Sequence, residues 1–143
     1  MSASNPLSVL PTLEADLARV EHLLADSVRS DLEMLAEAAA HLAKAGGKRV
    51  RPGFAIASAA TSHDVARPAD VGVLMGGVAV ELVHLGSLYH DDVMDEATTR
   101  RGVPAANQHW GNVVAILTGD FLLAQSSIIA ADLGTDVSRL LGE

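Results

Sequence analysis

No cysteine occurs among the 143 residues, which excludes disulfides, thiolate catalysis and cysteine-ligated zinc. Aromatic residues make up only 3% of the chain, so Ala, Leu and Val must fill the core. Those residues suit close-packed helices better than sheets. Basic charge is also scarce. Ten Lys and Arg against 18 Asp and Glu give a net charge of −8, which argues against a nucleic-acid partner. The N-terminal stretch has no basic start followed by an apolar run, so no signal peptide is expected and the chain reads as cytoplasmic. No repeat, low-complexity tract or strand alternation is visible. What is abundant is apolar: 49% of the residues are hydrophobic, enough for one domain with a real core.

Apolar residues recur at helical spacing over residues 11–28 and 31–45, the second run ending at Gly46-Gly47. Arg51-Pro52 starts another helix running to about residue 60. Residues 61–67 read as a loop, 69–94 as a long helix, 97–104 as a loop and 105–110 as a short helical turn. Residues 112–133 and 137–143 read as two further helices. The architecture expected is all-α, an antiparallel bundle. Residues 71–88 are apolar enough to raise a membrane span, but Glu81 and His84 interrupt them at high cost in a bilayer. A buried helix without stable membrane insertion is the expectation. Gly72, Gly76, Gly77 and Gly86 lie inside that helix, so close packing or room for a ligand is expected there.

Glu81, His84, Leu88, Asp91 and Asp95 are spaced three or four apart and share one face of that helix. A polar stripe on an otherwise apolar helix needs partners or a wet cavity. Asp91 and Asp95 are one turn apart, roughly 6 Å along the axis, so both reach one cluster of ions. Asp92 points to the side. Acids at a helix C-terminus oppose the dipole, which disfavours a merely solvated acidic end. Carboxylates bind hard cations such as Mg2+, which also takes phosphate oxygens, and the nearby Arg100-Arg101 pair binds phosphates directly. The spacing predicts a metal–diphosphate site.

Of the ten basic residues, four are Lys44, Lys48, Arg49 and Arg51. In Gly46-Gly47-Lys48-Arg49-Val50-Arg51-Pro52 the glycines would let backbone approach an anion, and a helix N-terminus follows. The segment is not a Walker loop, since no Ser or Thr follows the Lys as required. A simple preference of Lys44 and Lys48 for a helix C-terminus is the plainer alternative.

GGKRVRP, then ELVHLGSLYHDDVMDEATTRRG, then GDFLLA resembles the trans-isoprenyl (polyprenyl) diphosphate synthase family in order and spacing, from about Leu13 onward. The resemblance implies an isoprenoid synthase helix bundle, of which this chain would be the N-terminal half over residues 1–143. It implies Mg2+-dependent head-to-tail condensation of isopentenyl diphosphate with an allylic diphosphate. Asp91, Asp92 and Asp95 match the first aspartate-rich motif, with Asp91 and Asp95 as metal ligands. Arg100 would hold the allylic diphosphate; Lys48, Arg51, His84 and Arg101 would hold the other. Gly86 and Ser87, five and four positions before Asp91, are small and imply products of geranylgeranyl length or longer.

The family's second aspartate-rich motif has no counterpart: Asp132, Asp136 and Glu143 do not form DDxxD. The segment is expected to be inactive alone, as a truncation, a split gene product or a shortened partner subunit, and to self-associate, with a homodimer as the family's habit. Three alternatives compete. A non-catalytic partner of a complete synthase would not need DDVMD and RRG. A terpene cyclase would not need GGKRVRP and Arg101. A metal phosphohydrolase using His90-Asp91 would want clustered histidines, and His63 and His109 do not fit.

Overall fold

The computed structural model describes residues 6–62 and 64–143, which leaves His63 outside the description. A 3-10 turn, Pro6–Val9, precedes helices α1 (Leu13–Ser27), α2 (Glu33–Lys44), α3 (Val50–Ala60) and α4 (Val71–Met94). A hairpin of β1 (Thr99–Arg100) and β2 (Val103–Pro104) follows, then α5 (Ala106–Trp110), α6 (Asn112–Leu133) and α7 (Thr135–Gly142). The fold is all-α, as expected, with one correction. The stretch read as a loop over residues 97–104 contains an antiparallel ladder pairing Thr99 with Pro104 and Arg100 with Val103. Its two turn residues, Arg101 and Gly102, both have positive φ (53° and 80°), the signs a type I′ hairpin requires.

α4 is the central helix. It packs along α6 over most of its length and also meets α1 and α3. Leu74, Val78, Leu82, Leu85 and Tyr89 of α4 join Val20 and Leu24 of α1, Leu42 of α2 and Leu122 of α6 in one core. Burying each such side chain contributes about 1.5–3 kcal/mol. Two of the four α4 glycines serve close packing. A Cβ at Gly77 would lie 3.0 Å from Pro52 Cα, and one at Gly86 would lie 3.0 Å from the Gly119 carbonyl oxygen. Gly72 and Gly76 make only ordinary contact with Leu133.

Buried polar groups join the helices at fixed points. Asp16 of α1 accepts from Arg19 (2.8 Å) and from the Ala69 amide (3.0 Å), which fixes where α4 begins. Tyr89 donates to the Ala38 carbonyl and accepts from the Leu42 amide, tying α4 to α2. Burial pushes its phenol up to about 12. Ser126 donates to the Ala79 carbonyl (2.8 Å), tying α6 to α4. By length and composition α4 and α6 could each cross a membrane. α4, however, carries an ion-paired Glu81 at its centre and packs on four other helices, α1, α3, α5 and α6.

Candidate functional site

The polar stripe of α4 is graded. Glu81 is buried, His84 and Asp91 are half-buried, and Asp95 is exposed at the helix end. Glu81 accepts from Arg49 Nη1 (3.0 Å) and lies 3.9 Å from Arg101 Nη2. Arg49 also grips Glu21 of α1 and donates to the Ala43 carbonyl of α2 (2.8 Å). One guanidinium thus joins α1, α2 and α4. Burial alone would lower its pKa; Glu21 and Glu81 outweigh that and hold it raised. Its backbone is left-handed (φ 46°) at the cap of α3, a cost of about 1–2 kcal/mol for a side chain with a Cβ. Sequence reasoning gave Arg49 no role, since nothing local marks it off from Lys48 and Arg51.

Arg101 turns inward as well. Its Nη1 donates to the Gly46 and Leu42 carbonyls at the end of α2. Burial first, then Arg49, Arg100 and Arg51, pull its pKa down against Glu81. Gly47 makes this possible: a Cβ there would sit 3.1 Å from Arg101 Nη1 and 3.3 Å from Arg49 Nη1. The pair of glycines therefore has a structural reason that the anion-loop reading did not contain. Gly46 supplies a positive φ (83°) after α2, and Gly47 supplies passage for two guanidiniums. The following helix begins at Val50, one residue before Arg51.

Asp92 is fully buried and accepts from Arg100 Nε (2.7 Å) and Nη2 (2.6 Å). It anchors the hairpin to the end of α4, and Arg100 keeps its remaining N–H groups. Asn107, to which sequence assigned nothing, donates from Nδ2 to the Asp92 carbonyl (3.1 Å). His41 Nε2 bonds the Pro104 carbonyl (2.8 Å), and His109 and Trp110 pack against its ring. This explains Trp110, also left without a role by the sequence.

The remaining charges are unengaged. The side chains of Asp91, Asp95, Lys48 and Arg51 make no hydrogen bond or ion pair with the described residues. Arg51 and Asp91 nevertheless both act on one group, His84. His84 is held neutral-leaning first by burial, then by Arg51 and Arg101, against the opposing pull of Glu81 and Asp91. The close approach of Pro52 to Gly77 brings the start of α3 against α4, which sets Arg51 near His84. Among the described residues no three acids and histidines form a closed metal cage. Two open carboxylates one turn apart do fit a hard cation that keeps water and phosphate as its other ligands.

One expected placement changes. Gly86 does not face open space, because the Gly119 carbonyl and Leu123 of α6 occupy the side where its Cβ would be. Ser87 is exposed. His90 is directed to α6, with Nε2 3.2 Å from the Ile116 carbonyl and 3.3 Å from Asp120. Gly119 makes room for its ring, since a Cβ there would lie 2.3 Å from Nε2. His109 packs on Trp110 at 4.2 Å. These positions give no histidine cluster for the phosphohydrolase alternative.

The family model for polyprenyl synthetase matches residues 32–143. The nonaprenyl diphosphate synthase of Mycobacterium tuberculosis is 45% identical over 131 residues, covering 92% of this chain and 38% of that protein. Heptaprenyl diphosphate synthase component 2 of Geobacillus stearothermophilus is 46% identical over 123 residues, with 85% and 37% covered. The crystal structure of polyprenyl synthase from Caulobacter crescentus, complexed with calcium and isoprenyl diphosphate, superposes with a TM-score of 0.78. That match has 35% identity and covers 92% of this chain and 39% of the other. The chain spans a little over a third of the length of the curated relatives it matches.

Proposed function

The chain belongs to the polyprenyl synthetase family, and from that premise we propose that it carries the first metal site and the basic loop of a prenyl-chain-elongating enzyme. The reaction would be Mg2+-dependent head-to-tail condensation of isopentenyl diphosphate with an allylic diphosphate, giving geranylgeranyl or longer products. The observation that carries the reading is the division of charge: the Asp91 and Asp95 carboxylates have no hydrogen bond or ion pair among the described residues, while Asp92 is buried and paired with Arg100.

In this reading Asp91 and Asp95 hold Mg2+, which supplies positive charge to the departing pyrophosphate of the allylic substrate. Arg100 holds that diphosphate with the N–H groups Asp92 leaves free. Lys48 and Arg51 hold the second diphosphate, with Arg101 behind them. His84, its pKa lowered, offers a neutral N–H hydrogen bond at pH 7. The apolar helices keep water from the reacting carbons. Ser87, on the open side of α4, is the better chain-length position; Ser87→Phe in an active assembly should shorten the product, and unchanged length contradicts this.

The 143 residues hold one acidic triad, and we propose that they do not elongate prenyl chains alone. Exposed Leu32 and Met34 at α2 and Val113 and Leu117 of α6 favour self-association, a homodimer being the simplest form. The protein is read as cytoplasmic, without membrane insertion. A second reading, a partner subunit of a complete synthase, is favoured by the "component 2" name of two relatives.

The test is incubation with Mg2+, labelled isopentenyl diphosphate and farnesyl diphosphate. No elongation alone, and elongation once a polypeptide with a second acidic motif is added, supports the reading. Elongation by the chain alone contradicts the proposed inactivity. No elongation in either case moves weight to the partner subunit.

A further inference from the structure

Among the described residues, two buried side-chain oxygens lack any partner, Asp92 Oδ2 and Asn107 Oδ1. They belong to residues already joined, because Asn107 Nδ2 donates to the Asp92 backbone carbonyl at 3.1 Å. That carbonyl also accepts the Ala97 amide at 2.9 Å, a bond that spans Asp95 and closes the end of α4. Asn107 is 8% exposed and sits in α5, directly after the arginine hairpin. An amide buried with its oxygen unsatisfied is a poor stabiliser, since an apolar side chain of similar size would avoid that cost. Its one donated bond, however, holds the carbonyl of the residue directly after Asp91, in the turn that ends at Asp95.

We propose that Asn107 is a positioning residue for the metal-binding carboxylates. It clamps the last turn of α4 from α5, so that Asp91 and Asp95 keep one shared orientation toward a divalent cation and its diphosphate. The inference rests on the metal–diphosphate reading of Asp91 and Asp95. It separates from that reading because Asn107 touches neither carboxylate oxygen nor ligand. The Ala97 amide remains on the Asp92 carbonyl when Asn107 is replaced, so losing the side chain removes orientation without orphaning the backbone.

The test uses the full chain, Mn2+ as an electron-paramagnetic probe and inorganic pyrophosphate, with thermal melting measured in parallel. Asn107→Leu should weaken Mn2+–pyrophosphate binding by about tenfold or more, the range for lost outer-sphere support of a metal site. Its melting temperature should stay level or rise. Asn107→Met serves the same purpose if leucine packs badly, with the same expectation. Unchanged affinity overturns the proposal, and so does a parallel fall in affinity and melting temperature, which would mark Asn107 as structural only. If the unaltered chain takes up no Mn2+ with pyrophosphate, the metal–diphosphate reading falls and the proposal with it.

Discussion

Neighbouring charges in the two motifs of this chain meet opposite fates. In the loop after α2, Arg49 is buried and bonded to three helices while Lys48 and Arg51 stand in solvent. At the end of α4, Asp92 is buried and paired with Arg100 while Asp91 and Asp95 are unpaired. Each motif therefore contains its own scaffold. The engaged charge fixes the backbone, and the charged residues near it keep their side chains in contact with solvent. Buried charges are tolerable only when paired and hydrogen-bonded, so the engaged set must find partners within the fold. In the proposed function the open set keeps its charge for an anion or a cation from outside.

Breaking the engaged set should damage folding. Arg49→Met leaves Glu81 buried without its main partner and should cost about 3–5 kcal/mol. Urea unfolding would show it, and a loss under about 1 kcal/mol would contradict the hub. Breaking the open set should damage binding instead. Asp91→Ala or Asp95→Ala should weaken Mg2+–pyrophosphate binding at least about 100-fold, the upper end seen even for outer-sphere losses. Melting should change little, since neither carboxylate has a hydrogen bond or ion pair among the described residues.

Two smaller effects sharpen the contrast. Gly47→Ala pushes a methyl group toward the Arg101 and Arg49 guanidiniums and should cost about 1–3 kcal/mol. Lys48→Ala next door should leave stability within about 0.5 kcal/mol. Equal losses at the two positions would remove the distinction. The smallest effect is electrostatic. His84 has a folded pKa below its ordinary 6.5, first through burial and then through Arg51 and Arg101. The unfolded chain thus binds more protons between the folded value and 6.5, so stability rises with pH through that window and is lost as pH falls through it. An NMR titration should place His84 below 6.5 in the free protein and move it upward when pyrophosphate is added.

Most helices were legible because apolar spacing and glycine stops are local signals. Residues 112–133 were read to the residue and appear as Asn112–Leu133. The hairpin was not legible. Its strands are two residues each, too short for alternation to show, and its left-handed Arg101 is unusual for a side chain with a Cβ. The candidate site residues stood out through charge spacing and family resemblance. Helix spacing already set Asp92 to the side of Asp91 and Asp95, but the engagement of Arg49 was not legible, because it differs from Lys48 and Arg51 only in which way the backbone turns it. Asn107, His41 and Trp110 were equally silent, since their partners lie in α4, in the hairpin and in one another. Gly86 was misplaced because the sequence could not show that α6 covers that side of α4.

The most direct test of this division is a thermal melt of the chain with Mg2+ alone, pyrophosphate alone and both together. The account predicts that the melting temperature rises markedly only with both, and that the rise vanishes in Asp91→Ala while persisting when Asp136, an exposed acid of α7, is replaced by Ala. An equal rise with pyrophosphate alone, or a full rise in Asp91→Ala, would contradict it.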